Sequence, residues 1–398
     1  MYRLLFLFSI VLISWGGHST YKGVPKHYHS LLDSAMVRAG DNASELLKAL
    51  EETEKSRKEG MAFLISFMPE RDLTSLTADF LLENVEYAYL ARDQYPWCAA
   101  LPDSIFFNEV LPYANITETR DPWRKDFYER FSKYVKDKDH IIDAIFAIAD
   151  TIKDEVQVEY NTKRSKVDSS PQEAKAEHMA TCTGLSILLS DAFRSVGIPS
   201  RLAGTAMWTN FKGNHTWSEV WVDEKWQFIE YYPDSLNKSW FLADAGKADP
   251  ENPLHWIYAV SYKPTGQYYY AGVSTMHLID QLDLNLFPEA VRARYEGMKQ
   301  FTKDNSEDPY VWGHNVTQRY IDLYRASLEN RKLGENETMA NFVVFENEEN
   351  QGSASRVSCR IDIIQGEENK DFGYSPRKTD DMNYFLKMRL KKGTSYLV

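Results

Sequence analysis

Four residues in one stretch of the chain could carry chemistry: the cysteine Cys182, the histidine His215 and the acids Glu230 and Asp234. A thiol, an imidazole and a carboxylate supply a nucleophile, its base and the group that orients the base. The thiolate, not the thiol, attacks. Cys182 stands in the first turn of a predicted helix, TCTGLSILLSDAFRSVGI, where unpaired backbone N–H groups and the helix dipole favour negative charge. The same N–H groups would form part of an oxyanion hole. Thr181, Thr183 and Gly184 are small enough to let a substrate approach. Taken alone, Cys182 would read as a structural cysteine at a helix start. His215 changes that reading, because it opens a strand directly after Gly213-Asn214 and can point over a sheet edge.

The elements that must position these groups follow from the pattern around them. Leu185, Leu188, Leu189, Ala192, Phe193 and Val196 recur at helical spacing, and Gly197 with Pro199 stops the helix. Three strand-like runs come next: SRLAGTAMW, HTWSEVWV and WQFIEYY. A two-residue turn at Asp223-Glu224 joins the last two as a hairpin. That register sets Val222 opposite Lys225 and His215 opposite Tyr232, with Glu230 and Asp234 as diagonal neighbours roughly 7–8 Å from the histidine. Pro233 weakens pairing beyond Tyr232, so Glu230 is the preferred acid and Asp234 the alternative. Both acids could instead be solvated. Trp208 and Trp217 are candidates to line a substrate cleft, against core packing as the other role for such rings. His178, close before the cysteine, reads as a surface histidine.

The runs CTGLSILL at 182–189, Arg194 with VGIPSR at 196–201, GNHTWSEVW at 213–221 and KWQF at 225–228 resemble the transglutaminase-like core, a papain-like superfamily that includes cysteine peptidases and peptide N-glycanases. The resemblance covers roughly 155–275, and the helical front and β-rich tail are similar to exported bacterial proteins with such a core. It implies an α+β fold, a helix packed on an antiparallel sheet. It also implies Cys182 as nucleophile, His215 as general base and acid, and an acid four residues after Trp226. The family usually has Asp there; this chain has Glu230. No cofactor and no metal are implied, and neither HExxH nor clustered His and Cys suggests zinc. The expected function is acyl transfer or hydrolysis at amide bonds of a protein, peptide or glycopeptide substrate. The alternative is a catalytically inactive scaffold or binding protein with the same fold. A serine hydrolase would need a GxSxG elbow, which the sequence lacks.

The 398 residues imply more than one unit. Residues 1–19 combine Arg3 with an apolar run from Leu4 to Trp15 and read as a signal peptide, making the expected location secreted or periplasmic with no membrane anchor after cleavage. Residues 20–154 read as a helical N-terminal region, 155–338 as the core, and 339–398 as a small β-sandwich-like region. The segment GHNVTQRYIDLYRASLENRKL fits either a strand or a helix. A net charge of −12 argues against a nucleic-acid partner. The cysteines, Cys98, Cys182 and Cys359, are too few and odd in number for a disulfide framework. Six Asn-x-Ser/Thr triplets begin at Asn42, Asn115, Asn214, Asn237, Asn315 and Asn336.

Overall fold

The structure is a computed structural model, and it describes residues 21–209, 213–250, 255–267, 311–330, 333–347, 355–366, 368–376 and 385–398, with a few isolated positions between. The expected signal peptide, the helix-like stretch 277–301 and most of the expected strand Gln267–Val273 lie outside the described residues.

The front of the chain folds into helices α1 (His29–Ala39), α2 (Ala43–Glu52), α3 (Lys58–Phe67), α4 (Ala78–Gln94), α5 (Trp123–Val135) and α6 (Ile141–Val156). In α6 the apolar residues Ala144, Ile145, Ile148, Ala149, Ile152 and Val156 fall every three or four positions, and all are buried. At α4 the sequence suggests a break at Thr74-Ser75. The structure caps the helix with Thr77, which accepts the Phe80 N–H at 3.3 Å, while Thr74 and Ser75 donate back to the carbonyls of Glu70 and Arg71.

After α6 come the short strand β1 (Glu159–Tyr160), helix α7 (Pro171–Glu177), strand β2 (Met179–Ala180) and helix α8 (Cys182–Ser195). Every residue of α8 from Thr183 to Ser195 is buried. One side of α8 rests on the sheet and the other on α5 and α6, in a core continuous with the front helices. Leu188, Leu189 and Phe193 are fully buried there, each contributing about 1.5–3 kcal/mol of transfer free energy. Gly197, at φ 74, ends the helix; a Cβ at that point would lie 2.8 Å from the sulfur of Cys98.

The main sheet is antiparallel, in the order β5-β4-β3-β6-β7. Its strands are β3 (Ser200–Thr205), β4 (His215–Val222), β5 (Lys225–Ile229), β6 (Ile257–Ser261) and β7 (Trp312–Asn315). The β4–β5 turn falls at Asp223-Glu224 with Val222 opposite Lys225, and both turn residues take positive φ, 50° and 59°. That is the backbone of a tight hairpin turn whose twist matches its strands. Hydroxyls fix α8 against β4: Ser186 Oγ lies 3.1 Å from the Thr216 carbonyl, and Ser218 Oγ donates to the Ser186 carbonyl at 3.2 Å. This register sets the start of α8 level with the start of β4.

The segment that fits either strand or helix contains both, β7 and then helix α9 (Thr317–Asn330). Tyr320 of α9 is buried, and its hydroxyl donates to Glu219 at 2.5 Å; Arg201 Nε donates to the same carboxylate at 2.9 Å. In the tail, β8 (Glu337–Phe342) pairs with β11 (Leu386–Lys391), and β9 (Arg360–Gln365) pairs with β10 (Glu368–Tyr374). Ile361, Ile363 and Met388 form the small core between them. Strand β10, ENKDFGY, falls where the sequence suggests only a polar turn. Its pairing is made by the backbone, which an alternation of apolar side chains does not report.

Candidate active site

Cys182 is the first residue of α8 and is half-buried. Thr181 caps the helix by accepting the Gly184 N–H at 2.9 Å, and its own hydroxyl donates to the Val167 carbonyl at 2.7 Å. The N–H groups of Cys182 and Thr183 belong to the open first turn, where no intrahelical acceptor exists. Gly184 is required by crowding, since a Cβ there would sit 2.9 Å from that of Ala180.

His215, the first residue of β4, lies beside the Cys182 thiol, close enough for its charge to act on the sulfur. Its Nε2 lies 2.7 Å from Glu230 Oε1, so Nδ1 is the ring nitrogen left for the sulfur. The imidazole is only 12% exposed and the carboxylate 19%. The other carboxylate oxygen, Oε2, accepts the hydroxyl of Ser239. The order from surface loop to helix is therefore Ser239, Glu230, His215, Cys182.

The electrostatics follow from these contacts. Burial alone would raise the Cys182 pKa, but the hydrogen bond and charge of His215, the Thr216 backbone N–H and the Thr183 hydroxyl outweigh it and lower the thiol below its ordinary value. Burial alone would lower His215; its bonds to Cys182 and Glu230 instead hold the imidazole protonated up to about 10. Cys98 shows the opposite case: burial pushes its thiol up to about 12, and nearby arginines offset this only in part.

Asp234 does not reach the histidine. It pairs with Lys238 at 2.7 Å, and its side chain is 47% exposed. The tryptophan expectations need correction. Trp217 is fully buried: its indole N–H donates to Tyr320 at 2.6 Å, and its ring stacks 4.2 Å from Phe241. Trp208 is 4% exposed and stacked parallel to Trp217. Strand alternation turns Trp217 to the opposite side from its neighbours, into a core completed by α9, so neither ring presents a face to a substrate. His178 is exposed, in a left-handed conformation, with Nδ1 3.1 Å from the Gln157 carbonyl.

Residues 129–231 match the model of the transglutaminase-like superfamily. The chain carries a transglutaminase-like core. The matched stretch begins inside α5 and ends one residue after Glu230, so it includes Cys182, His215 and Glu230. The chain is also similar to a crystal structure of a candidate cysteine protease from Cytophaga hutchinsonii, at 18% identity and a TM-score of 0.28. That likeness covers 35% of this chain and 45% of the other, so the chain spans less than half the length of that relative. None of the curated proteins matches the chain.

Two residues beside the site escape a reading of the sequence. Ser239 and Trp240 lie in the loop after β5, and Trp240 packs 5.0 Å from the His215 ring, centroid to centroid. Their only sequence signal is that they follow Glu230 within ten residues. Among the described residues, no group of three or more His, Cys, Asp and Glu side chains is arranged to hold a metal ion.

Proposed function

We propose that this transglutaminase-like core is a thiol enzyme acting on amide bonds of a protein, peptide or glycopeptide, with Cys182 as nucleophile, His215 as general base and acid, and Glu230 as orienter. The observation that carries this reading is the placement of His215 between the Cys182 thiol, whose pKa it lowers, and Glu230, which it meets at 2.7 Å. The thiolate attacks the amide carbonyl carbon, and its oxygen takes the negative charge. The N–H groups of the first turn of α8, which have no intrahelical acceptor, would receive that oxyanion. As the C–N bond breaks, the His215 proton passes to the departing amine and a thioester remains. Water, giving its proton to His215, then completes hydrolysis; an amine in its place gives a new amide. With residues 1–19 as a signal peptide, the reaction belongs outside the cytoplasm.

The test is carbamidomethylation by iodoacetamide at mildly acid pH, read residue by residue by mass spectrometry. Cys182 should react at least about tenfold faster than Cys98, and His215→Ala should slow Cys182 by at least about tenfold. Equal, slow labelling of both cysteines would remove the basis for a nucleophile and leave a binding protein with this fold.

A further inference from the structure

We propose that Ser239 is a positioning residue that compensates for glutamate at position 230, and that Asn237 clasps the loop delivering it. The inference rests on the reading of Cys182 and His215 as the acyl-transfer pair. A glutamate has one more rotatable bond than an aspartate and loses more freedom when aimed at a single partner. The backbone adds little restraint, because the β4–β5 ladder ends at Ile229. With Oε1 on His215, the carboxylate could still pivot about that contact. The Ser239 hydroxyl donates to Oε2 and closes this freedom.

Ser239 reaches Glu230 because the chain after Pro233 folds back along β5. The Asn237 N–H donates to the Phe228 carbonyl at 2.9 Å, and Asn237 Oδ1 accepts the Phe228 N–H at 3.0 Å. One asparagine thus supplies both bonds that a paired strand residue would make. Its φ of 60° is a conformation asparagine tolerates better than most side chains. Ser235 and Lys238 bridge the turn that contains it, with the Lys238 N–H on the Ser235 carbonyl at 3.2 Å. Trp240, next in sequence, packs beside the imidazole and limits water around the His215–Glu230 bond. Asn237-Lys238-Ser239 reads in sequence as a glycosylation triplet; in the fold, both of its ends are occupied in holding the site.

The experiment measures iodoacetamide alkylation of Cys182 in the full chain at pH 6.5 and pH 10. At pH 6.5 the thiolate depends on a protonated, fixed imidazole, so Ser239→Ala should slow alkylation by about tenfold. At pH 10 bulk base forms the thiolate without that help, and Ser239→Ala should match the parent within about twofold. Ser239→Thr keeps the hydroxyl and should restore the pH 6.5 rate. A parental rate for Ser239→Ala at pH 6.5, with His215→Ala still slow, overturns the proposal and leaves the enzyme reading standing. Equal loss at both pH values also overturns it, because a merely structural defect has no reason to depend on pH. A parental rate for His215→Ala overturns the enzyme reading itself.

Discussion

Glu230 and Asp234 are four residues apart, and their partners separate them. Glu230 holds the half-buried His215 at 2.7 Å, whereas Asp234 holds Lys238 in the open. A charge-assisted bond in a shielded site contributes well above an exposed ion pair, which is worth about 0–1 kcal/mol. Glu230→Gln should therefore slow Cys182 alkylation at pH 6.5 by at least about tenfold. Asp234→Asn should leave the rate within about twofold of the parent. The reverse order in a side-by-side rate measurement would move the orienting role to Asp234. The choice between these acids was half legible in the sequence. Register and Pro233 ranked them, but the lysine that occupies Asp234 lies in a turn whose path only the fold reveals.

At the scale of elements, the site is a meeting of two starts, the first turn of α8 and the first residue of β4. Both were legible, because a capped amphipathic helix and a two-residue hairpin leave strong local patterns. The hairpin turn also carries a local cost. Glu224 at φ 59° adopts a conformation that costs a non-glycine residue about 1 kcal/mol or more. Glu224→Gly should accordingly raise stability by about 0.5–1 kcal/mol in urea denaturation, with Cys182 reactivity unchanged. A loss of stability would show that Glu224 makes a compensating contact. What the element patterns concealed was the facing of Trp208 and Trp217. Their burial depends on Tyr320 and Phe241, which come from segments distant in sequence.

At the scale of the whole molecule, the Cys182–His215 pair ties stability to pH with a sign that can be worked out. His215, raised from 6.5 to about 10, contributes stability that is full below about pH 6.5 and is lost as pH rises through about 10. Cys182, lowered from 9, contributes stability that is full above about pH 9 and is lost as pH falls through its folded value. From above the folded value of Cys182 up to about pH 9 the two slopes cancel, since folded thiolate–imidazolium and unfolded thiol–imidazole each carry one proton. The unfolding free energy of the parent minus that of Cys182→Ala/His215→Ala should thus be flat across that window and decline as pH rises through about 10. A difference that climbs steadily with pH would mean that the pair is not an ion pair in the folded protein. By itself, the sequence determined the helical front, the helix that begins at Cys182, the hairpin and the order of cysteine, histidine and acid, because each is written in contiguous spacing or capping residues. Only the tertiary structure decided which acid meets the histidine, that Ser239 and Trp240 complete the site, and that two tryptophans belong to the core. Those outcomes depend on where a loop folds back and on which distant segment covers a face, and neither leaves a local period to read.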